Sequence, residues 1–297
     1  LLGELLIECG LPNQAFSILP AKGKTVGPIL ASNSNIKCVS FTGSREVGFK
    51  VAKYAAGKKI ALELGSNSGL LVMEDGDIEI AAQRITKGAF ALAGQVCIST
   101  QRVYVHKSKF DELAELCVNQ AKQIRVGNQL SPESDMGPMI SEYDAERVMQ
   151  WVDEAVNDGA RLLLEPQKEG TFVTPFIITS VPEDSSLLKK ELFGPGFVIE
   201  PINNLAEGIN KLNDSEYGLN AGIFTNNMGY IDKAFQELEV GSVIVNDVPT
   251  FRADLMPYGG VKGSGLEREG PRYAIAVSYT HLRAHETSLH LVCRLLL

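Results

Sequence analysis

One cysteine in this chain sits where covalent chemistry is feasible. In residues 90–102, FALAGQVCISTQR, Cys97 follows Ala93, Gly94 and Gln95 and precedes Ile98, Ser99 and Thr100. Small and apolar neighbours let the main chain approach a ligand and leave one polarisable sulfur as the reactive group. A thiolate is the nucleophile, and a free Cys titrates near roughly 8.5, so a reactive one needs a helix N-terminus, a cation or donated hydrogen bonds. Backbone amides beside Gly94 can donate them, and Val96 supplies no cation. The competing reading is a structural core cysteine, because free Cys is among the most buried residue types. Glu63 is the second candidate. It closes a strand pattern, KIALEL over 59–64, and lies between two leucines ahead of Gly65. Desolvation raises a carboxylate's pKa and makes it a better proton acceptor near neutral pH. A strand-end Glu facing solvent remains open.

Other residues have binding chemistry. Strand 36–41 runs through Thr42, Gly43 and Ser44 directly into a helix over 45–56. That arrangement places a pyrophosphate at a helix N-terminus, where free N–H groups and the dipole favour an anion. Only Gly43 and Gly48 are present, so the GxGxxG fingerprint is absent and an ordinary β–α turn stays possible. Arg252 could clasp a carboxylate or phosphate in a bidentate fork. A solvated loop Arg paired with Asp254 fits equally well. The glycine-rich loop Gly259, Gly260, Gly263, Gly265 lacks the GK[ST] ending of a phosphate loop, so close packing beneath the site is its expected task.

Five stretches in one order resemble the aldehyde dehydrogenase superfamily: FTGSREVG at 41–48, LELG at 62–65, GQVC at 94–97, ELFGP at 191–195 and PYGGVKGSG at 257–265. The resemblance runs from residue 1 to about 276. ELGSNS, AGQVCIS and FRADLMPYGG look most like the lactaldehyde and non-phosphorylating glyceraldehyde-3-phosphate branch. It implies oxidation of an aldehyde to a carboxylic acid with NAD or NADP. Cys97 would attack the aldehyde to give a thiohemiacetal, hydride transfer would leave a thioester, and Glu63 would activate the hydrolytic water. It also implies cofactor contacts at Gly43, Ser44, Val47, Leu64, Glu191 and Phe193, with Glu191 on the nicotinamide ribose; without it, Glu191 and Phe193 read as a surface Glu and a core Phe. Two departures stand out: Ser66 replaces the family's second glycine after the general base, and Leu92 replaces its common Asn before the nucleophile. The rivals are a coenzyme A-acylating relative, which Glu63 opposes, and a non-catalytic binding or assembly module of the same fold.

The expected fold is α/β: a partial Rossmann-like cofactor domain plus an α/β catalytic domain of the aldehyde dehydrogenase type. The domains are read as 1–64, the C-terminal part of the NAD(P)-binding domain; 65–255, catalytic; 256–276, a return segment packing on the cofactor domain; and 277–297, a non-family tail resembling a foreign or frame-shifted scar. Beyond the elements already named, strands are expected at 15–19, 60–64, 70–73, 103–105, 161–165, 176–178, 197–202 and 242–245. Helices are expected at 1–9, 23–30, 78–93, 107–124, 142–159, 185–190, 204–213, 228–238 and 267–275. The chain opens mid-helix without an initiator Met, which reads as a fragment expected to be inactive or nearly so by itself.

Composition narrows the partners. The formal charge of −8 over 297 residues argues against nucleic acid and anionic membranes. No apolar run reaches the roughly 18 residues of a membrane span. Cysteines at 9, 38, 97, 117 and 293 show no metal spacing, and an odd count fits a reducing cytoplasm. His281 and His285 stand at helical spacing without the Glu of HExxH, so no metal is expected. By resemblance the parent protein is a homodimer or homotetramer acting on a small aldehyde.

Overall fold

The computed structural model describes residues 1–278. Seven strands form the main sheet, in the order Ser242–Val245, Asn220–Phe224, Gly69–Val72, Arg102–His106, Gly196–Ile202, Phe176–Thr179 and Arg161–Leu164. Neighbours run parallel except the last pair. A parallel sheet needs both faces covered, and its strands therefore read as continuous apolar runs. Gly69–Val72 shows this directly. Leu70 and Val72 enter the core beneath helices Ile78–Phe90, Phe110–Ala121 and Glu142–Asn157. Leu71 and Met73 point the other way, into a core under Leu205–Asn213 and Met228–Glu237.

A second sheet has three strands. Cys38–Thr42 lies parallel to Lys59–Glu63, and Gly265–Leu266 adds antiparallel on the far side. Helix Arg45–Tyr54 makes the crossover between the first two. Ala31, Val51 and Ala55 are the buried core here, with Val39, Phe41 and Ile60 packed against them. The return of residues 265–266 to this sheet puts the glycine-rich loop in close contact with its surroundings, as expected: Ser264 donates its hydroxyl to the Gly65 carbonyl at 2.7 Å and accepts from the Gly218 amide at 3.0 Å.

Several expectations shift. Residues 15–19 form no strand. A strand exists through its ladder, and this segment meets no partner among the described residues. The helix expected over 78–93 ends at Phe90, because Leu92, Ala93 and Gly94 take φ of 51°, 55° and 69°, a left-handed run that cannot continue a right-handed helix. The last helix starts at Pro271 rather than 267, with proline at the first helical position. Strand Asn220–Phe224, second from one edge of the main sheet, has no counterpart among the sequence expectations. The histidine pair 281/285 lies outside the described residues. Among the described residues no cluster of metal-ligating side chains occurs and no helix is long and apolar enough to cross a membrane.

Candidate active site

The two sheets meet at a cleft of about 960 Å³. Gly43, Ser44, Glu63 and Leu64 line one wall, and Cys97, Glu191 and Phe193 line the other. Seven of the nine residues singled out in the sequence thus share one cavity. The other two do not line it. Val47, one turn into the helix, is exposed. Arg252 pairs with Glu269 at 3.0 Å, not with Asp254, and its guanidinium lies 4.1 Å from the centre of the Tyr258 ring.

Local folding explains the first wall. Strands Cys38–Thr42 and Lys59–Glu63 run in register, with Thr42 opposite Glu63. The Gly43 amide then donates to the Glu63 carbonyl at 3.1 Å, which ties the turn to the end of the neighbouring strand. Ser44 caps helix Arg45–Tyr54 in an extended conformation without a side-chain cap bond. The first amides of that ten-residue helix are therefore free to serve an anion. On the same strand end, the Glu63 side chain is only 8% exposed, and its Oε2 is buried without a hydrogen-bond partner. Burial pushes its carboxyl up to about 8, with Glu269 adding to the rise and Arg252 and Arg268 opposing it. A carboxyl in this state is poised to take a proton near neutral pH.

On the second wall, the left-handed run at 92–94 turns the chain so that Cys97 faces the cleft. Gly94 is required there on two counts. Its φ is positive, and a Cβ would sit 2.0 Å from the Gly194 carbonyl oxygen, so the Cys97 loop and the ELFGP loop touch backbone to backbone. Gln95 holds the turn. Its amide donates to the carbonyls of Leu92 at 3.0 Å and Pro138 at 3.2 Å and accepts from the Ile140 amide at 2.7 Å. Half-buried Cys97 has its sulfur 3.0 Å from the Tyr258 hydroxyl. Burial pushes the thiol up, the Tyr258 hydrogen bond pulls it back, and the carboxyls of Glu191 and Glu63 push it up again. Glu191 accepts from the Ser66 amide at 2.9 Å, and burial pushes its carboxyl up to about 7.

Sequence reasoning missed Gln95, Tyr258 and Ser264 as individual residues. All three lie in the stretches already singled out, yet their partners at 138–140, 97 and 218 are distant in the chain, and residue type alone did not point to them.

Comparison with known proteins gives the family. The aldehyde dehydrogenase family model matches residues 1–284, eight beyond the limit of the sequence resemblance. The 3-sulfolactaldehyde dehydrogenase of Priestia aryabhattai is 43% identical, over 92% of this chain and 57% of its own length. The lactaldehyde dehydrogenase of Methanococcus maripaludis is 39% identical, over 92% of this chain and 58% of its own. The chain thus spans a little over half the length of these curated relatives. The crystal structure of a glyceraldehyde-3-phosphate dehydrogenase from Methanocaldococcus jannaschii complexed with NADP superposes with a TM-score of 0.89 at 40% identity, covering 92% of this chain and 60% of that one. A plant enzyme, aldehyde dehydrogenase 21 from Physcomitrella patens in complex with succinate, gives 0.89 at 38% identity, covering 93% and 58%. With its doubly covered parallel sheet, its cleft and these matches taken together, the chain belongs to the aldehyde dehydrogenase family.

Proposed function

We propose that the whole protein oxidises a small aldehyde to its carboxylic acid with NAD or NADP, with Cys97 as nucleophile and Glu63 as general base. The observation that carries this reading is the shared cleft: the sulfur, the largely buried carboxyl and a helix N-terminus without a side-chain cap bond all line it. The donor set suits a dinucleotide. Amides following Gly43 and Ser44 would hold the pyrophosphate, Leu64 and Phe193 offer apolar surface, and Glu191 can accept from ribose hydroxyls. Val47 would be met by a cofactor running along the exposed side of its helix. Once bound, the nicotinamide supplies the hydride acceptor.

The chain's own residues do the rest. The Cys97 thiolate attacks the carbonyl carbon, and a C–S bond forms. After oxidation at that carbon the acyl group is held on sulfur as a thioester. Glu63 takes a proton from a water in the cleft while its oxygen attacks the acyl carbon. The C–S bond breaks, the acid leaves and the thiolate returns. Splitting one hard step into two easier ones is the gain from covalent catalysis. Residues 1–64 with 256–276 form the cofactor side of this reading, and 65–255 form the catalytic side. The aldehydes that give the relatives their names make a small hydroxyaldehyde the first class to try.

Two measurements on the full-length protein test it. Cys97→Ala abolishes reduction of the cofactor by a panel of neutral and anionic aldehydes; persistent turnover refutes the nucleophile. Glu63→Gln gives a rapid burst of reduced cofactor, one per site, followed by a slow phase as the thioester accumulates. An unchanged steady rate removes Glu63 from the role of base, and rescue of the slow phase by coenzyme A identifies an acyl-transfer enzyme instead.

A further inference from the structure

Among the described residues, no positively charged group is in contact with the sulfur. Cys97 packs with Val96, Ile98, Leu219 and Tyr258. Among the described residues, the Tyr258 hydroxyl is the one side-chain group within hydrogen-bonding distance of it, at 3.0 Å. Yet a nucleophilic sulfur must be held as a thiolate against burial.

We propose that Tyr258 is a catalytic residue of this site, its hydroxyl donating to the Cys97 thiolate while Arg252 and Glu269 clamp its ring. The clamp is closed on itself. Tyr258 and Glu269 exchange backbone hydrogen bonds as an isolated antiparallel bridge. The Glu269 carboxylate accepts from Arg252 at 3.0 Å. The Arg252 guanidinium lies over the Tyr258 ring, 4.1 Å from its centre. Three residues thus hold one another, and the ring is left 3% exposed with its hydroxyl against the sulfur. A guanidinium over the ring face draws density from the π-system, which strengthens the hydroxyl as a donor. Arg252, read in the sequence as a substrate clasp, works in this arrangement on the nucleophile instead.

The proton inventory is simple. With a neutral thiol, either Sγ–H or Oη–H can donate. When the thiol ionises, its proton leaves to water in the cleft, and the pair keeps one geometry, Oη–H donating to S⁻. Tyr258 keeps its own proton, since burial and the neighbouring Cys97 and Glu63 drive its phenol far up. The charged and titratable groups facing this pair are Glu63 and Glu191 towards the sulfur and Arg252 and Glu63 towards the phenol. Of these side chains, Tyr258 is the one that favours ionised sulfur.

The inference rests on Cys97 being the nucleophile, so the test reads the sulfur without turnover. Rates of alkylation by iodoacetamide are measured against pH and followed on the tryptic peptide 88–102, which carries Cys97 and no other cysteine. Tyr258→Phe keeps the ring and the Arg252 stack and removes only the hydroxyl. The midpoint is expected to rise by about one pH unit, with alkylation at pH 7 slowed about tenfold. Arg252→Gln leaves Tyr258 in place and is expected to shift the midpoint the same way, slowing alkylation about threefold. In the full-length protein, adding Tyr258→Phe to Glu63→Gln slows the burst of reduced cofactor and leaves the slow phase after it unchanged. An alkylation profile unmoved in both variants, or moved downward, overturns the proposal whatever the turnover does. Turnover that survives Cys97→Ala instead refutes Cys97 as the nucleophile and leaves the measured shift standing.

Discussion

The two walls of the cleft are built to different strengths. Cys97 and Glu191 stand on a seven-stranded sheet with a core on each face, where Leu70, Leu71, Ile85, Phe176 and Phe197 are fully buried. Gly43, Ser44 and Glu63 stand on three strands over a core of Ala31, Val51 and Ala55. Around that smaller core Ile29, Leu30, Val47, Phe49 and Tyr54 remain exposed, and a groove lined by Leu30, Ile36, Val39 and Phe41 runs along its outer strand. Hydrophobic stabilisation scales with apolar area removed from water, so the second wall contributes little of its own. It leans on the first through discrete ties: Ser264 between Gly218 and Gly65, Glu191 to the Ser66 amide, and Arg45 to Glu216. The wall of Cys97 is held mainly by packing, whereas the wall of Glu63 leans on a few hydrogen bonds and an ion pair.

The largest expected effect lies on the packed wall. Phe197 is fully buried, and its ring centre is 5.8 Å from that of Phe90. Phe197→Ala is expected to cost about 3–5 kcal/mol in urea unfolding. Val51→Ala, in the smaller core, is expected to cost about 1–2 kcal/mol, because half-exposed neighbours can relax into the space. Equal losses would break the comparison. Next comes the tie. Ser264→Ala leaves a buried amide at Gly218 and a buried carbonyl at Gly65 without their partner, for about 3 kcal/mol. Amide exchange then localises the damage. Protection should fall across Lys59–Glu63 and stay unchanged across Gly69–Val72, and uniform loss would mean the two sheets unfold as one.

A pH series sharpens the contrast. The Glu63 carboxyl is pushed up to about 8 in the fold from a usual 4.5, with burial the main cause. Between those values the folded state binds a proton that the unfolded state has released. Stability from this group is therefore present below about 4.5, declines as pH rises to about 8 and stays lost above it. Gln cannot ionise. Glu63→Gln should gain on the parent progressively as pH rises from 5 to 9. Melting points at pH 5, 7 and 9 check this. A constant difference would mean that water reaches Oε2 and that the wall is not dry.

How much of this was legible beforehand follows the same division. Cys97, Glu63 and the Gly43–Ser44 turn were picked out because each sits in a short stretch that resembles an aldehyde dehydrogenase motif; taken alone, each also had an ordinary structural reading. The helices of the packed wall were expected close to their observed bounds, and the structure shows side-chain caps at their starts: Asp77 accepts from the Ile80 amide, Ser141 from the Asp144 amide and Asn204 from the Glu207 amide. Strand Asn220–Phe224 was not. Its sequence, NAGIF, opens with two weak strand formers and a glycine, and it is buried on both faces, so no alternation marks it. Tyr258 and Ser264 were legible as parts of a motif but not as donors. Their partners lie 161 and 199 residues away in the chain, and only the meeting of the two sheets brings them together.

The smallest effect concerns a place where the packed wall is itself strained. Leu92 and Ala93 hold φ of 51° and 55°, where an L-residue other than Asn or Gly pays roughly 1–2 kcal/mol. Leu92 is 73% exposed, so its side chain recovers almost nothing through packing. The resemblance places Asn at this position in the family, and a short amide side chain is the kind that tolerates the left-handed region. Leu92→Asn should therefore stabilise the protein by about 0.5–1 kcal/mol, seen as a small rise in the urea midpoint with unchanged slope. Gln95 already fixes the turn from the other side through Leu92, Pro138 and Ile140. Alkylation of Cys97 should consequently be unaltered in this variant. A midpoint that falls would mean that Leu92 is held by an apolar partner seated in the cleft, and that the strain at 92–94 is balanced by binding and not by the Gln95 clamp.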